Sequence, residues 1–536
     1  MPDRPSGARL LTRSYCPADR SVPLIEEPVG HALLRAARIH GDGVALIDGQ
    51  VDRGARRRWT FNELAADAQR VAHALLRHFE PGQHVAVWAG NRPEWALIEF
   101  GAALAGLVLV TVNPAYLAKE LAYVLEQSQA SGIIVQDHYR GRDLCDLIDS
   151  VRPTLPRLKH VIPLSGWNAF LAAAPEGTLP TVSPDAVAQI QYTSGTTGFP
   201  KGACLTHRGL ANNGRLYARA IGAGPGDIWI NAMPMFHTAG CGLATLGALQ
   251  TGGTQVMAPG FEAGHMLDLF EQEHGTTMIC VPTMLIRMLE EQARHPRDLT
   301  HWRLVTLGGA PVPPELVRDA GTVFGVKVAI GFGQTEASPY LTHTAVDDGH
   351  PAWGETVGRP LPQTEVKIID AGTGEIVPLG VAGEICGRGY GIMTGYHHAP
   401  EATSAAIDAE GWLHTGDIGS MDEQGYCRVL GRLRDMIIRG GENIYPREVE
   451  DVLMTHPAIR DVAVVGLPDR DMGESVAACV LLTAPGAADP AALEAFCRER
   501  LAGYKVPRRW HFMEAFPQTA SGKVQKYVLR DLLTNG

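Results

Sequence analysis

From about residue 60 to residue 340, short apolar, β-branched runs alternate with amphipathic stretches of helix length, and nothing else in the chain constrains its fold as strongly. "HVAVWAG" is followed by "RPEWALIEFGAALAG", then by "LVLVTV", "AKELAYVLEQSQA" and "GIIVQD". A strand covered on both faces reads as a continuous apolar run, and parallel neighbours need a crossover long enough for a helix. The pattern therefore predicts strand–helix units on parallel sheets. From Glu365 to about Arg432 the runs become short, alternating and glycine-broken, "EVKIID", "GEICGRG" and "CRVLGR", which predicts a smaller, largely antiparallel β region. After "GRLRDMIIRGGENIYP", a helix opened by Pro446, with Val449, Val452 and Leu453 at helical spacing, and the strand "DVAVVGL" begin a separate α+β pattern. The expected fold is α/β: a large N-terminal domain over 1–432 with parallel α/β sheets plus the small β region, a hinge at 433–436, and a small α+β C-terminal domain over 437–536.

Composition removes several function classes. With 45% apolar and 20% charged residues the 536-residue chain is globular, and a formal net charge of -11 disfavours nucleic acid as a partner. The basic run "RGARRRW", Arg53 to Trp59, is isolated and reads as a solvated loop. Nine cysteines without C-x-x-C spacing indicate neither a disulfide framework nor a zinc site, and a cytoplasmic location is expected. The apolar run "GAALAGLVLVTV" falls short of the roughly 20 residues a membrane span needs and reads as a buried helix and strand. Arg4, Arg9 and Arg13 resemble a transit peptide only weakly, because Asp3 interrupts them and no amphipathic repeat follows.

"TSGTTGFPKG", residues 193–202, gathers hydroxyls, glycines and a lysine after the apolar run "AVAQIQY". Such a loop aims backbone N–H groups and hydroxyls at one anion, and the lysine adds the point charge a polyphosphate requires. The spacing G-x-x-G-x-x-K-G is not the nucleotide-triphosphatase G-x-x-x-x-G-K-[ST], because Lys201 lies between Pro200 and Gly202. On its own the loop reads either as a phosphate cradle or as a Ser/Gly linker; the embedded Pro-Lys and the preceding strand favour the cradle.

"YTSGTTGFPKGACLTH" closely resembles the phosphate-loop signature of the adenylate-forming enzymes, which include acyl-CoA synthetases, peptide-synthetase adenylation domains and luciferases. Further motifs follow in that family's order: "PMFHTAG", "GGAP", "GFGQTE", "GWLHTGD", "GRLRDMIIRGGENIYPREVE" and "PQTASGK". The resemblance spans nearly the whole chain, and "VNPAY" and "QTEASP" look most like medium- and long-chain fatty acyl-CoA ligases. It implies a two-step reaction. A carboxylate is first joined to AMP from ATP with loss of pyrophosphate, and a thiol, of coenzyme A or a carrier's phosphopantetheine, then displaces AMP.

The resemblance also implies residue roles. Thr193, Ser194, Gly195, Thr196, Thr197, Gly198 and Lys201 would cradle the β- and γ-phosphates, and Glu336 would hold Mg²⁺, a hard cation suited to carboxylate and phosphate oxygens. Thr335 would reach the α-phosphate, Phe332 would stack on adenine beside Gly333, and Gly309 and Ala310 would line the adenosine and acyl pockets. Asp417 matches a ribose-binding carboxylate and Arg432 a ribose or phosphate contact. Lys523 is the expected catalytic residue of adenylation, its ammonium facing the charge that develops at the α-phosphate. In the family the small domain rotates between the half-reactions; by position Arg434 is the pivot, and Gly440 and Gly441 would form a strand lining the pantetheine tunnel.

"PMFHTAGCG" bears on the acid. Amino-acid-activating relatives usually carry an aspartate where this chain has His237, and a histidine supplies no charge to bind a substrate ammonium. His237 is expected beside the carboxylate, and Gly240, Gly242, Gly308, Gly309 and Gly333 suggest a roomy apolar pocket for a fatty or polycyclic acid. The sequence reading is an ATP-dependent acyl-CoA ligase using ATP, Mg²⁺ and coenzyme A, acting as a monomer or homodimer. The alternatives are a ligase delivering to a carrier protein and a non-catalytic nucleotide binder that has kept the fold.

Overall fold

Four of the apolar runs lie side by side as parallel strands. In a computed structural model describing residues 10–172, 177–193, 200–346, 350, 353–518 and 524–535, they fill the middle of a seven-stranded sheet. Its order is Gly395–Tyr396, Lys201–Thr206, Val187–Thr193, Val108–Val112, His84–Trp88, Gly132–Val135 and His160–Pro163. A nine-stranded sheet runs Arg359–Pro360, Tyr340–His343, Lys327–Gly333, Leu304–Gly308, Thr277–Cys280, Ile228–Asn231, Thr254–Met257, Val44–Asp48 and Arg58–Thr60. It is parallel from Lys327–Gly333 to Val44–Asp48 and antiparallel at both edges. Parallel strands of this kind need both faces covered, which the intervening helices supply.

The run "GAALAGLVLVTV" is the end of the helix Pro93–Leu104 and the strand Val108–Val112, both buried. The helix packs on Phe61–Leu76, which a Thr60–Glu63 capping box opens. A Cβ at Gly101 would lie 2.5 Å from Val71 Cγ1, so a glycine is required where these helices cross. The basic run departs from the solvated loop expected of it. Arg56 is buried, its Nη1 2.7 Å from Glu273 Oε1, while Arg58 reaches Glu273 Oε2 at 2.6 Å. Two guanidiniums thus share one carboxylate whose removal would leave a buried charge unpaired.

The predicted small β region is a five-stranded sheet, Tyr15–Cys16, Thr364–Ile369, Gly383–Gly389, Leu413–Met421 and Cys427–Arg432. The chain divides into two compact units, one of Cys16–Val366 with Gly387–His414, the other of residues 1–15, Lys367–Cys386 and Thr415–Gly536. In the second, the hairpin Ile459–Asp469/Gly473–Leu482 and the parallel strand Arg509–Phe512 carry the helices Pro446–Met454, Pro490–Arg498 and Lys526–Asn535. The Pro446 helix buries Val449 and Leu453 as its periodicity predicted. All nine cysteines are free, and among the described residues no helix is long and apolar enough to cross a membrane.

Candidate active site

The phosphate-loop candidates Ser194, Gly195, Thr196, Thr197 and Gly198 lie outside the described residues, but both rims of the loop are described. Val187–Thr193 and Lys201–Thr206 pair antiparallel, with Thr193 opposite Lys201. The connection is strand to strand, whereas the nucleotide-triphosphatase loop leads from a strand into a helix. One helix, Ala118–Gln127, moors the surroundings. Tyr123 Oη donates to Pro200 O at 3.2 Å, Tyr192 Oη donates to Gln127 Oε1, and Gln127 Nε2 donates to His397 O at 2.6 Å.

Facing this rim is Glu336, in a short turn over Thr335–Ala337 that follows the strand Lys327–Gly333. The turn is fixed from outside itself: Met393 N donates to Glu336 O at 2.8 Å, and Ser338 Oγ to Gly391 O at 2.7 Å. Although Glu336 is only 8% exposed, its carboxylate oxygen Oε1 accepts from Tyr396 Oη at 2.6 Å and is approached by Thr193 Oγ1 at 3.5 Å. Burial, and then the Glu336 charge, push the Tyr396 phenol well above its ordinary value. Lys201 Nζ stands 5.2 Å from the centroid of the same tyrosine ring, a cation–π distance. A buried carboxylate oriented by hydroxyls, with a threonine oxygen beside it, suits a hard divalent cation that takes one or two carboxylates and its remaining ligands from phosphates. Thr335 is half-buried beside it.

Phe332 is buried at the end of its strand, opposite Thr342, and Gly309 follows the neighbouring strand with φ +75°. Ala310 is half-buried next to it. The glycines do not open the roomy pocket their size suggested. A Cβ at Gly333 would lie 1.9 Å from Pro339 O, and one at Gly240 2.3 Å from Pro234 O, so both serve close backbone packing. Gly308 and Gly331 are register partners, and Tyr340 covers them: added Cβ atoms would lie 2.9 Å from its Oη and 2.4 Å from its ring. Gly242 differs, with ordinary contacts to Leu210 at 3.6 Å and Thr238 at 3.8 Å.

His237 is half-buried ahead of a π-helical stretch over Ala239–Thr245. Its carbonyl accepts from Gly240 N, Cys241 N and Cys241 Sγ. Behind Cys241 runs a polar chain the motifs gave no hint of. Gln191 Nε2 donates to Cys241 Sγ at 3.3 Å and to Gln189 Oε1 at 2.7 Å, and Gln189 Nε2 donates to Glu99 Oε1 at 2.8 Å. Burial pushes the Glu99 carboxyl up to about 8, opposed by the Gln189 amide. The strand entering the phosphate loop is thereby tied to the segment carrying His237.

The remaining candidates belong to the other unit. Asp417 is buried and opposite Arg432 in an antiparallel pair, with Arg432 Nε 3.2 Å from Asp417 Oδ1. Arg434 lies in a turn over Leu433–Asp435, 3.6 Å from Asp435 Oδ1. Gly440 and Gly441 are not part of a strand as expected. With φ +61° and +86° they form the two-residue turn joining Ile437–Arg439 to Glu442–Ile444, a geometry that requires positive φ at both central positions. Lys523 lies outside the described residues; Gln518 and Val524, which flank it, are bridged antiparallel.

Residues 33–397 match the family described as AMP-binding enzyme, and residues 448–523 match its C-terminal domain. The chain belongs to the AMP-binding enzymes. It is 40% identical over 538 residues to YngI of Bacillus subtilis (strain 168), named as an acyl-CoA synthetase, with 95% of this chain and 97% of that protein covered. It is 34% identical over 512 residues to the medium-chain acyl-CoA ligase ACSF2, mitochondrial, of Rattus norvegicus, covering 88% and 83%. Among solved structures, ATP-bound MatB from Rhodopseudomonas palustris superposes with a TM-score of 0.87 at 29% identity, covering 95% of this chain and 99% of that one. This AMP-binding enzyme is an AMP-forming acid–thiol ligase.

Sequence reasoning passed over two participants of the site. Tyr396, in "TGYHHAP", lacked a chemical signature, and Glu99 is a single acid in the apolar helix "PEWALIEFGAAL". A lone carboxylate at such a position was itself a signal, since acids are almost never fully buried unless paired.

Proposed function

We propose that this enzyme is an ATP-dependent acyl-CoA ligase for an apolar carboxylic acid. In the first step an acid oxygen attacks the α-phosphorus of ATP, the bond to the β-phosphate oxygen breaks, and pyrophosphate leaves. In the second the CoA sulfur attacks the acyl carbon, its proton passes to solvent, and AMP leaves with the electrons of the broken C–O bond. Lys201 and Thr193 at the loop rim serve the β- and γ-phosphates, Phe332 the adenine, Asp417 and Arg432 the ribose, and Lys523 the charge that develops during adenylation. Glu336 would hold Mg²⁺, which when bound neutralises phosphate charge.

The observation that carries this reading is the meeting of Thr193 and Tyr396 at the Glu336 carboxylate beside the loop rim, with Lys201 over the Tyr396 ring. CoA as acceptor is supported by the names of the B. subtilis and rat relatives. His237 in place of an anion supports an acid without an ammonium group, and the likeness to the medium-chain acyl-CoA ligase ACSF2 supports an acyl chain of intermediate length. Nine free cysteines support a reducing, cytoplasmic setting.

Pyrophosphate release measured with short-, medium- and long-chain, aromatic and polycyclic acids, with and without CoA, tests the reading. Acid-dependent release and CoA-dependent thioester formation are expected, strongest for an apolar acid of intermediate length. Absence of release with every acid would overturn the ligase, and thioester formed only on a phosphopantetheinylated carrier would overturn CoA as acceptor.

A further inference from the structure

Tyr396 occupies an unusual position between two opposite charges that the proposed reaction needs separately. Its hydroxyl donates to Glu336 Oε1 at 2.6 Å, while Lys201 Nζ sits 5.2 Å from the centroid of its ring. A lysine and a glutamate free to meet across this gap would form an ion pair, and in a partly buried place such a pair is strong. Each charge would then be spent on the other, leaving less for a phosphate on one side and a cation on the other. The aromatic ring prevents this and still satisfies both: its face attracts the ammonium, and its hydroxyl binds the carboxylate without cancelling the charge.

The backbone holds the tyrosine in place independently of its hydroxyl. Tyr396 pairs with Ala203 and Gly395 with Cys204 in the strand that begins at Lys201. Tyr396 N donates outside the sheet, to Thr403 Oγ1 at 2.9 Å, and the next residue, His397, donates its N–H to Gly202 O at 2.8 Å. Glu336 is fixed just as independently, through its own carbonyl to Met393 N. The side-chain bond therefore closes a gap between two segments already in place, which is the arrangement of an orienting contact.

We propose that Tyr396 is a positioning residue, a spacer that keeps Lys201 and Glu336 from pairing and holds Oε1 so that the carboxylate is presented to the metal–nucleotide complex. The inference rests on the assignment of Glu336 to the metal in the proposed function.

The test uses the full-length protein and Mn²⁺ with a non-hydrolysable ATP analogue, with bound metal read by electron paramagnetic resonance, alongside the Mg²⁺ dependence of acid-dependent ATP–pyrophosphate exchange. Y396F keeps the spacer and loses the hydrogen bond; it is expected to weaken metal–nucleotide binding about tenfold, the scale of one hydrogen bond to a charged group, and to raise half-saturating Mg²⁺ more than it lowers kcat. Y396A also removes the spacer and is expected to weaken binding further. Read with Mn²⁺ alone, where no phosphate is present for Lys201 to hold, Y396A combined with K201Q should recover part of the loss of Y396A, because no cation remains to pair with Glu336. Circular dichroism and thermal melting confirm that each variant is folded. If E336Q weakens metal binding while Y396F and Y396A match the native protein, the role of the tyrosine is overturned alone. If E336Q leaves metal binding intact, the metal assignment falls, and this inference with it. A Y396A/K201Q variant that binds Mn²⁺ alone no better than Y396A would overturn the spacer.

Discussion

Glu336 and Asp417 are both buried carboxylates, yet their surroundings differ in kind. Glu336 is met by neutral hydroxyls from Tyr396 and Thr193, whereas Asp417 faces the guanidinium of Arg432 at 3.2 Å, whose side chain is 47% exposed. A hydroxyl orients an anion and leaves its charge available; a guanidinium orients it and offsets the charge. The first setting suits a carboxylate that must attract a metal ion. The second suits one that accepts hydrogen bonds from neutral sugar hydroxyls, with a cation at hand for phosphate. On the proposed roles, the difference teaches that the partner at each place is matched to what the carboxylate is to bind.

Removing the charge at Glu336 should break the comparison most sharply. Glu336→Gln keeps the shape and an oxygen that accepts from Tyr396, and we expect a fall in kcat for pyrophosphate exchange of about 100- to 1000-fold, the scale for losing one preorganised electrostatic group. A loss below about fivefold would mean that orientation and not charge is what Glu336 supplies. Asp417→Ala should instead act mainly on the KM for ATP, raising it about tenfold or more. Arg432→Ala should raise it less, by a few-fold, and that effect should shrink in high salt because the guanidinium is half-exposed. Equal kcat effects at Glu336 and Asp417 would dissolve the distinction.

A third carboxylate sharpens the point with a smaller effect, read as stability. Glu99 is fully buried against an amide, and its carboxyl is raised from 4.5 to about 8. Between those values the folded protein holds a proton that the unfolded chain has released, so stability falls as pH rises through that window and levels off above it. Glu99→Gln has no proton to lose, and its melting temperature should fall less than that of the native protein between pH 5 and about 8. Parallel melting profiles would show that Glu99 does not titrate there.

Local order was legible in the sequence wherever the signal was local. Strand and helix alternation emerged from apolar periodicity, the helix at Pro446 from spacing, and the loop rim at Thr193 and Lys201 from composition. What escaped was pairing across distance. Arg56 read as solvated because its partner Glu273 lies 217 residues away, and nothing near "RGARRRW" announces a buried acid. Tyr396 stands 60 residues from Glu336, and a tyrosine in a glycine-rich segment reads as packing until the second segment is beside it. Glycines misled in two ways. At Gly333 and Gly240 small size signalled backbone contact and not a cavity, and at Gly440 and Gly441 it signalled a tight turn inside what read as a strand.

The mooring of the phosphate loop has a consequence for its tolerance to change. Tyr192 before the loop, Pro200 at its end and His397 beside Tyr396 all hydrogen-bond to the single helix Ala118–Gln127. The ends of the loop are thus held by a helix more than 60 residues earlier in the chain. Any segment of the right span between Thr193 and Pro200 would therefore meet ends already in register. Conversely, one substitution in that helix, such as Gln127→Ala, would loosen two of the moorings at once without touching any residue that meets a nucleotide.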